Sequence, residues 1–364
     1  MRTARLRVTM RDVVPRVQRV IDVPAAITLD ELHEVLQVAL GWTDSHLHQF
    51  RTDTTVYAVP FEEFGGGEAE ADERGVPLSA LPPRFVYAYD LGDGWDHEVE
   101  ALGRGGDLPG CVEGQGACPP EDCGGPTGYA ELLEALADAR HPEHEAMRTW
   151  VGDRLRPFDQ DAIAQRVRDA VGAVPGSVTL LLDLLADGVR LTPGGRLPRA
   201  LARAVQEQRP GWYPPGRPAS IEEDLLPLAV LHDMLRHVGL LRLAHGVLRP
   251  TKAATNPIET VRRLRSWFAP HEFSTIVVER AVALVAAHEP MPITQIAGEL
   301  FPMIGHGWQR GGQPITTHDV ERELHRLSHQ LQALDLIATT RSQWNTGPSA
   351  RSLLPGSTLL ADLL

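Results

Sequence analysis

Val174-Pro175-Gly176 separates two stretches whose apolar residues repeat with different periods, and this change of period limits the fold of the 364-residue chain more than any other feature. Upstream, Ala4, Leu6, Val8 and Met10 alternate with Arg5, Arg7 and Thr9, the period of a strand with one buried face. Val17 to Val23 reads as a second strand, and Asp12 to Pro15 is short enough to join the two as a hairpin. Thr28 and Glu31 are spaced as a capping box, and Leu32, Val35, Leu36, Ala39 and Leu40 form one helical stripe that Gly41 ends. Thr55 to Val59 and Phe85 to Tyr89 read as strands, and Asp90-Leu91-Gly92-Asp93-Gly94 is a turn leading into the alternating strand Trp95, His97, Val99. Gly65 to Arg74 reads as an exposed loop and Gly103 to Gly125 as an irregular segment. Tyr129 to Asp138 is an amphipathic helix with Thr127 as its N-cap. Residues 1–175 are therefore expected to form an α+β domain of antiparallel strands with helices.

Downstream the helical period dominates. Val178 to Leu185, Leu197 to Gln208 and Glu222 to His237 precede a small hairpin around His245-Gly246. Thr275 to His288, Ile293 to Met303 and Thr317 to Leu334 then precede Leu336 to Arg341, a turn at Asn345-Thr346-Gly347, and Ala350 to Leu354. The repeated order predicts a mainly α half made of two winged-helix-like units, residues 176–255 and 256–364.

Charge divides at the same place. Residues 1–176 hold 16 Arg and 31 acids, a net of −15, and residues 177–364 hold 18 Arg and Lys252 against 17 acids, a net of +2. An acidic half repels phosphate, so any nucleic-acid contact is assigned to the second half. Three cysteines exclude a disulfide scaffold, and the absence of an eighteen-residue apolar run or an apolar N-terminal core predicts a cytoplasmic protein without a membrane span.

Four blocks of the first half stand in a recognisable order: Thr28-Leu29-Asp30-Glu31-Leu32-His33, Gly41-Trp42-Thr43-Asp44-Ser45-His46-Leu47-His48-Gln49-Phe50, Tyr89-Asp90-Leu91-Gly92-Asp93-Gly94-Trp95-Asp96-His97 and Ala117-Cys118-Pro119-Pro120-Glu121-Asp122-Cys123-Gly124-Gly125-Pro126. With Gly128-Tyr129 and His141-Pro142-Glu143-His144 they cover about residues 1–160, and this stretch resembles the plasmid pRiA4b ORF-3-like family. The resemblance implies a compact α+β domain, uncharacterised in activity, found on plasmids, transposons and bacterial chromosomes. The family's resolvase label has no serine-recombinase catalytic pattern behind it here.

Three groups of residues are candidates for chemistry. An extended His46–Arg51 segment puts His46 and His48 on one face with Phe50, and His97 shares a face with Trp95 and Val99. Three imidazoles then aim at the apolar side beside Asp44, Asp90 and Asp93, as buried His–Asp hydrogen bonds or as a metal or acid–base cleft, the remaining alternative being that these positions are simply exposed. Cys111, Cys118 and Cys123, with His97 or His46 as a fourth ligand, are candidates for zinc, although no Cys-x-x-Cys pair is present; the alternatives are reduced thiols packed as small hydrophobes and redox pairing. Arg322, Arg326 and Arg341, with Arg351 near the second wing, are candidates for nucleic-acid contact. The sequence thus supports an interaction protein that meets a protein or DNA partner through its second half, or alternatively a metal-dependent enzyme with a cleft of His46, His48, Asp90, Asp93, Trp95 and His97.

Overall fold

The computed structural model describes residues 2–60, 70–213, 216–268, 272–288, 290–305, 307–340 and 342–354. The chain divides into two compact units, Met1–Val171 and Gly172–Leu364.

In the first unit, β1 (Thr3–Met10) and β2 (Gln18–Pro24) are followed by α1 (Leu29–Leu40) and by β3 (His48–Arg51), β4 (Val56–Ala58), β5 (Glu70–Asp72), β6 (Arg84–Tyr89), β7 (Trp95–Arg104) and β8 (Gly110–Gln115). Three helices complete it: α2 (Gly125–Ala137), α3 (His144–Val151) and α4 (Gln160–Val171). All eight strands join one sheet in the order β5-β4-β3-β6-β7-β1-β2-β8, with only β4 and β5 parallel. The period-two pattern of β1 buries Leu6, Val8 and Met10 as expected.

Helix α1 packs against α4, which also covers β8, and Gly41 ends α1 in the left-handed conformation at φ 84°. The first turn is closed by the Glu31 carboxylate, which accepts from the Thr28 backbone N–H at 3.0 Å. At the other end a buried guanidinium does the joining. Arg19 donates to the carbonyls of Ala39 in the last turn of α1, Gln18, Gln115 and Gly116 at 2.8–3.2 Å, and so ties the helix to two strands through acceptors that carry only partial charge. Its side chain also lies over the Phe158 ring, 4.8 Å from the centroid.

Several expectations are corrected. Gly103 to Gly125 is not irregular throughout, because β8 within it pairs with β2 at the sheet edge. Part of the expected exposed loop forms β5, and Glu73 just beyond it is buried; Gly65–Gly67 lie outside the described residues. Helix α2 starts at Gly125 behind Gly124, so Thr127 is inside the helix and is not its cap.

The second unit contains α5 (Gly176–Leu184), β9 (Val189–Arg190), α6 (Arg199–Gln208), α7 (Leu226–His237), β10 (Leu241–Ala244) and β11 (Val247–Pro250). Helix α8 (Pro257–Arg265) then leads to α9 (Phe273–Ala287), β12 (Met291–Pro292), α10 (Ile293–Ile304), β13 (Gln309–Arg310), β14 (Gln313–Pro314), α11 (Thr317–Ala333), β15 (Ile337–Thr340), β16 (Gln343–Thr346) and α12 (Ala350–Leu353). The order helix, strand, helix, helix, strand, strand occurs twice, the second time with the β13–β14 hairpin inserted between α10 and α11, and each time the first strand pairs with the last, in the sheets β10-β11-β9 and β12-β16-β15. Asn345 and Thr346 lie inside β16 and do not form the expected turn, and Ala350 begins the short helix α12.

One core runs from Val178 to Leu354 across both repeats. Helix α7 packs directly on α11, and Asp335 accepts from both terminal nitrogens of Arg209 at 2.8 and 3.0 Å and from the Ser177 N–H at 2.9 Å. The boundary that element order places near residue 255 is therefore crossed by apolar and ionic packing alike.

Candidate metal centre

Three of the four sequence blocks meet at one corner of the first unit. The loop after α1 carries Trp42 to Leu47, the turn between β6 and β7 carries Asp90 to Gly94, and the segment before α2 carries Cys118 to Gly124. Backbone and side-chain bonds sew them together. The Asp90 N–H donates to the Leu47 carbonyl at 2.9 Å, the Trp42 indole N–H to the Pro119 carbonyl at 2.9 Å, and the Gly124 N–H to Asp93 Oδ2 at 3.0 Å. Glu121 accepts from the Tyr89 hydroxyl with one oxygen and from the Thr43 backbone N–H and hydroxyl with the other. Burial and that carboxylate push the Tyr89 phenol up, so it stays a donor.

At the centre is His46. Its Nε2 is 3.2 Å from Asp122 Oδ1 and 3.6 Å from Asp90 Oδ2, is shielded from solvent, and has no hydrogen-bond partner. Asp90 spends its other oxygen on the N–H groups of Gly92 and Asp93, both at 3.2 Å, which fixes Oδ2 towards the imidazole. Two ligand atoms about 2.1 Å from a common ion are about 3.0 Å apart at a right angle and about 3.4 Å apart at the tetrahedral angle. The 3.2 Å separation falls in that range, the 3.6 Å one lies just above it, and the ligand atoms of His46, Asp90 and Asp122 all lie within 4.8 Å of one another. Asp90 is largely buried and Asp122 is 70% exposed, so the group has a solvent-facing side. Asp44, Asp90 and Asp122 all have left-handed backbones, with φ of 56°, 50° and 60°, a conformation that aspartate tolerates better than most residues.

A second group lies behind the first. His33 on α1 places Nε2 2.9 Å from Asp44 Oδ1 and Nδ1 2.8 Å from the Tyr87 hydroxyl, while the Gln37 side chain donates to that hydroxyl at 2.9 Å and accepts from the Asp44 N–H at 2.9 Å. The ring of bonds is closed. Because the Asp44 carboxylate can only accept, neutral His33 carries its proton on Nε2 and takes the Tyr87 proton at Nδ1. Burial lowers the His33 pKa and keeps that neutral form. His48 stacks on His33 with centroids 3.4 Å apart and planes at 6°, and its Nε2 donates to the buried Glu73 carboxylate at 2.9 Å. Ligand atoms of His33, Asp44 and His48 are close enough for an ion. However, imidazole lone pairs lie in the ring plane, and two parallel planes 3.4 Å apart do not meet at one ion. This network therefore fixes Asp44, and through it the loop that presents His46.

His46, His48 and His97 consequently do not share a cleft. β3 begins at His48, and His46 turns away in the preceding loop. His97 is fully buried in an aromatic box, 5.2 Å from the Trp42 ring and 5.4 Å from Tyr87 between centroids. Its Nδ1 donates to the Tyr87 carbonyl at 3.0 Å, its Nε2 is buried without a partner, and burial drops its pKa to about 4. Trp95 is buried there too, and Asp93 is committed to Gly124.

The cysteine set is also corrected. Among the described residues, no group of three or more ligand atoms within 4.8 Å of one another contains a cysteine, so Cys111, Cys118, Cys123 and His97 do not converge on zinc. Burial raises all three thiols, Cys118 and Cys123 to about 12, as expected for protonated cysteines packed as small apolar groups. In the second unit Arg322 is 3.4 Å from Asp319, and Arg326 donates twice to Glu323, so both carry their own counter-ions. Arg341 lies outside the described residues, as does the side chain of Arg351.

His33, Glu73, Glu121 and Asp122 were not among the sequence candidates. His33 and Gln37 were visible as two polar residues four apart on the buried side of a helix, and Glu121 and Asp122 sat inside a block read only for its cysteines.

An antiparallel sheet carried by flanking helices, with a histidine–carboxylate centre built on its connecting loops, defines an α+β domain. The chain belongs to the plasmid pRiA4b ORF-3-like protein family, whose model matches residues 2–166. It is similar to the uncharacterized protein y4hQ of Sinorhizobium fredii, at 46% identity over 158 residues, covering 41% of this chain and 80% of that one. It is also similar to the crystal structure of a protein of unknown function, MM3350, from Methanosarcina mazei Go1, at 29% identity and a TM-score of 0.40, covering 44% of this chain and 96% of the other. No helix among the described residues is long and apolar enough to cross a membrane.

Proposed function

We propose that the first unit is a metal-dependent catalytic module in which His46, Asp90 and Asp122 hold one divalent cation. The observation that carries this reading is the His46 Nε2, shielded from solvent, without a hydrogen bond, and 3.2 and 3.6 Å from two carboxylate oxygens of separate chain segments. One imidazole and two carboxylates suit ions such as Mn2+ or Zn2+, and three protein ligands with an exposed side leave positions for water or substrate. Such an ion supplies Lewis acidity towards an oxygen-bearing substrate or a bound water. The chain's own residues supply placement: Glu121 clamps Tyr89 and Thr43, Gly92 and Asp93 aim Asp90, and the His33–Asp44–Gln37–Tyr87 ring holds the loop that carries His46.

Calorimetric titration of the full chain with Mn2+ and with Zn2+ tests the site. One ion per chain is expected for the wild type, with loss of binding in His46→Ala and in the Asp90→Asn, Asp122→Asn double variant at unchanged circular dichroism. Unchanged binding in these folded variants, or no binding of either ion by the wild type, overturns the proposal. If binding follows the prediction, hydrolysis of simple phosphate and acyl esters by the loaded wild type but not by His46→Ala separates catalysis from mere binding; equal inactivity of both removes the catalytic part.

A further inference from the structure

The three-stranded sheet of the first repeat has two unlike faces. Leu241, Leu248 and Val189 turn inward to the core. On the outer face, Arg242 stands directly opposite Arg249 across β10 and β11, and Arg190 on β9 is paired with Val247, two residues from Arg249 on the same side. Three guanidinium groups therefore share one exposed face of three adjacent strands. Like charges directly opposite each other oppose folding, so such a pair is usually relieved by a carboxylate. None of the three has an ion pair or a side-chain hydrogen bond among the described residues, whereas Arg196, Arg209, Arg310, Arg322 and Arg326 in the same unit each have a carboxylate within 3.4 Å. Gly188 lies beneath this face, where a side chain would run into Arg249 and Val247.

We infer that this face binds the phosphate backbone of duplex nucleic acid without reading its sequence. Charge complementarity selects a polyanion. On the arginine side the strands present Arg, Ala and Val, while Leu243, 39% exposed, alternates to the other side of β10, so this side offers no aromatic or long apolar side chain of the kind that anchors a protein partner, and none on which a single-stranded base would stack. A regular row of anions is what remains. The unit that carries the face is near neutral overall, at +2, so it does not repel phosphate as the −15 first unit does. The inference is independent of the metal centre. It also relocates the contact surface from the arginines of α11, which are already paired, to Arg190, Arg242 and Arg249.

Fluorescence anisotropy of a labelled mixed-sequence DNA duplex, titrated with the full chain over a range of salt, tests the inference. The wild type should bind at low salt, and Arg190→Ala, Arg242→Ala, Arg249→Ala together should reduce the slope of log affinity against log salt by about 2 to 3, since each phosphate contact contributes about 0.9. The same three positions changed to Lys should keep most of the slope, which separates lost charge from lost fold, and Arg322→Ala with Arg326→Ala should leave it unchanged. No duplex binding by the wild type, an unchanged slope in the triple Ala variant, equal loss in the triple Lys variant, or tighter binding of single-stranded DNA or polyglutamate than of duplex would each overturn it.

Discussion

Replacing His97 by asparagine separates the cost of burying a titratable ring from everything else in the first unit. Asparagine keeps an N–H for the Tyr87 carbonyl but takes up no proton. In the unfolded chain the imidazole titrates near the ordinary 6.5, whereas in the fold burial holds it at about 4. The folded value is the lower one, so the unfolded state binds the proton first. The contribution is fully present above about pH 7 and is lost as pH falls through 6.5 towards 4. The two values give a loss of about 2 kcal/mol at about pH 5 and about 3 kcal/mol at about pH 4. Urea unfolding of both proteins at about pH 7 and about pH 5, followed by tryptophan fluorescence because Trp42 and Trp95 are buried beside this ring, should show the wild type losing about 2 kcal/mol more than the variant. The buried His33, whose pKa burial also lowers, is present in both and drops out of the difference. Parallel losses, or an NMR titration placing His97 of the folded protein near 6.5, would refute the reasoning.

Three further perturbations test the frame around the site. Arg19→Met removes a buried guanidinium from four carbonyls and should cost about 2–4 kcal/mol by chemical denaturation; a change below about 0.5 kcal/mol would show that those acceptors find other donors. Gly125→Ala puts a side chain into the Asp93 carbonyl from a backbone at φ 71°, so it should lower the melting temperature and weaken Mn2+ binding three residues upstream at Asp122; wild-type values for both would contradict the docking of these loops. Asp335→Ala leaves Arg209 and the Ser177 N–H without their acceptor and should destabilise the second unit by about 3 kcal/mol, checked against the single Arg209→Met change, which should cost less.

The elements with a clean period were legible in the sequence: β1, α1, the β6–β7 hairpin and most helices of the second unit lie where the apolar spacing places them. The strands missed in the first unit, β5 and β8, are at the two edges of its sheet, and those missed in the second, β9, β12, β13 and β14, are two residues long and too short to show a period. An edge strand has one neighbour and a half-covered surface, so its sequence need not alternate, and β8, with two glycines in six residues, does not. The site was half legible. Spacing identified His46 and Asp90 but assumed that the strand extended back to His46, and parity then grouped it with His48 and His97. The left-handed aspartates that turn the loops are a backbone property, and no side-chain periodicity reports it. Asp122 joins His46 across 76 residues of sequence, a pairing that local pattern does not contain.

The shared core of the two repeats has a consequence for how this half of the protein can be cut or inherited. Because α7 lies against α11 and Asp335 holds Arg209 from the other repeat, neither repeat has a finished exterior of its own. Severing the chain between them would bare two matching oily surfaces, each with its best partner in the other fragment. Such halves should reassociate when co-expressed and precipitate when made singly, so the heritable piece is the pair.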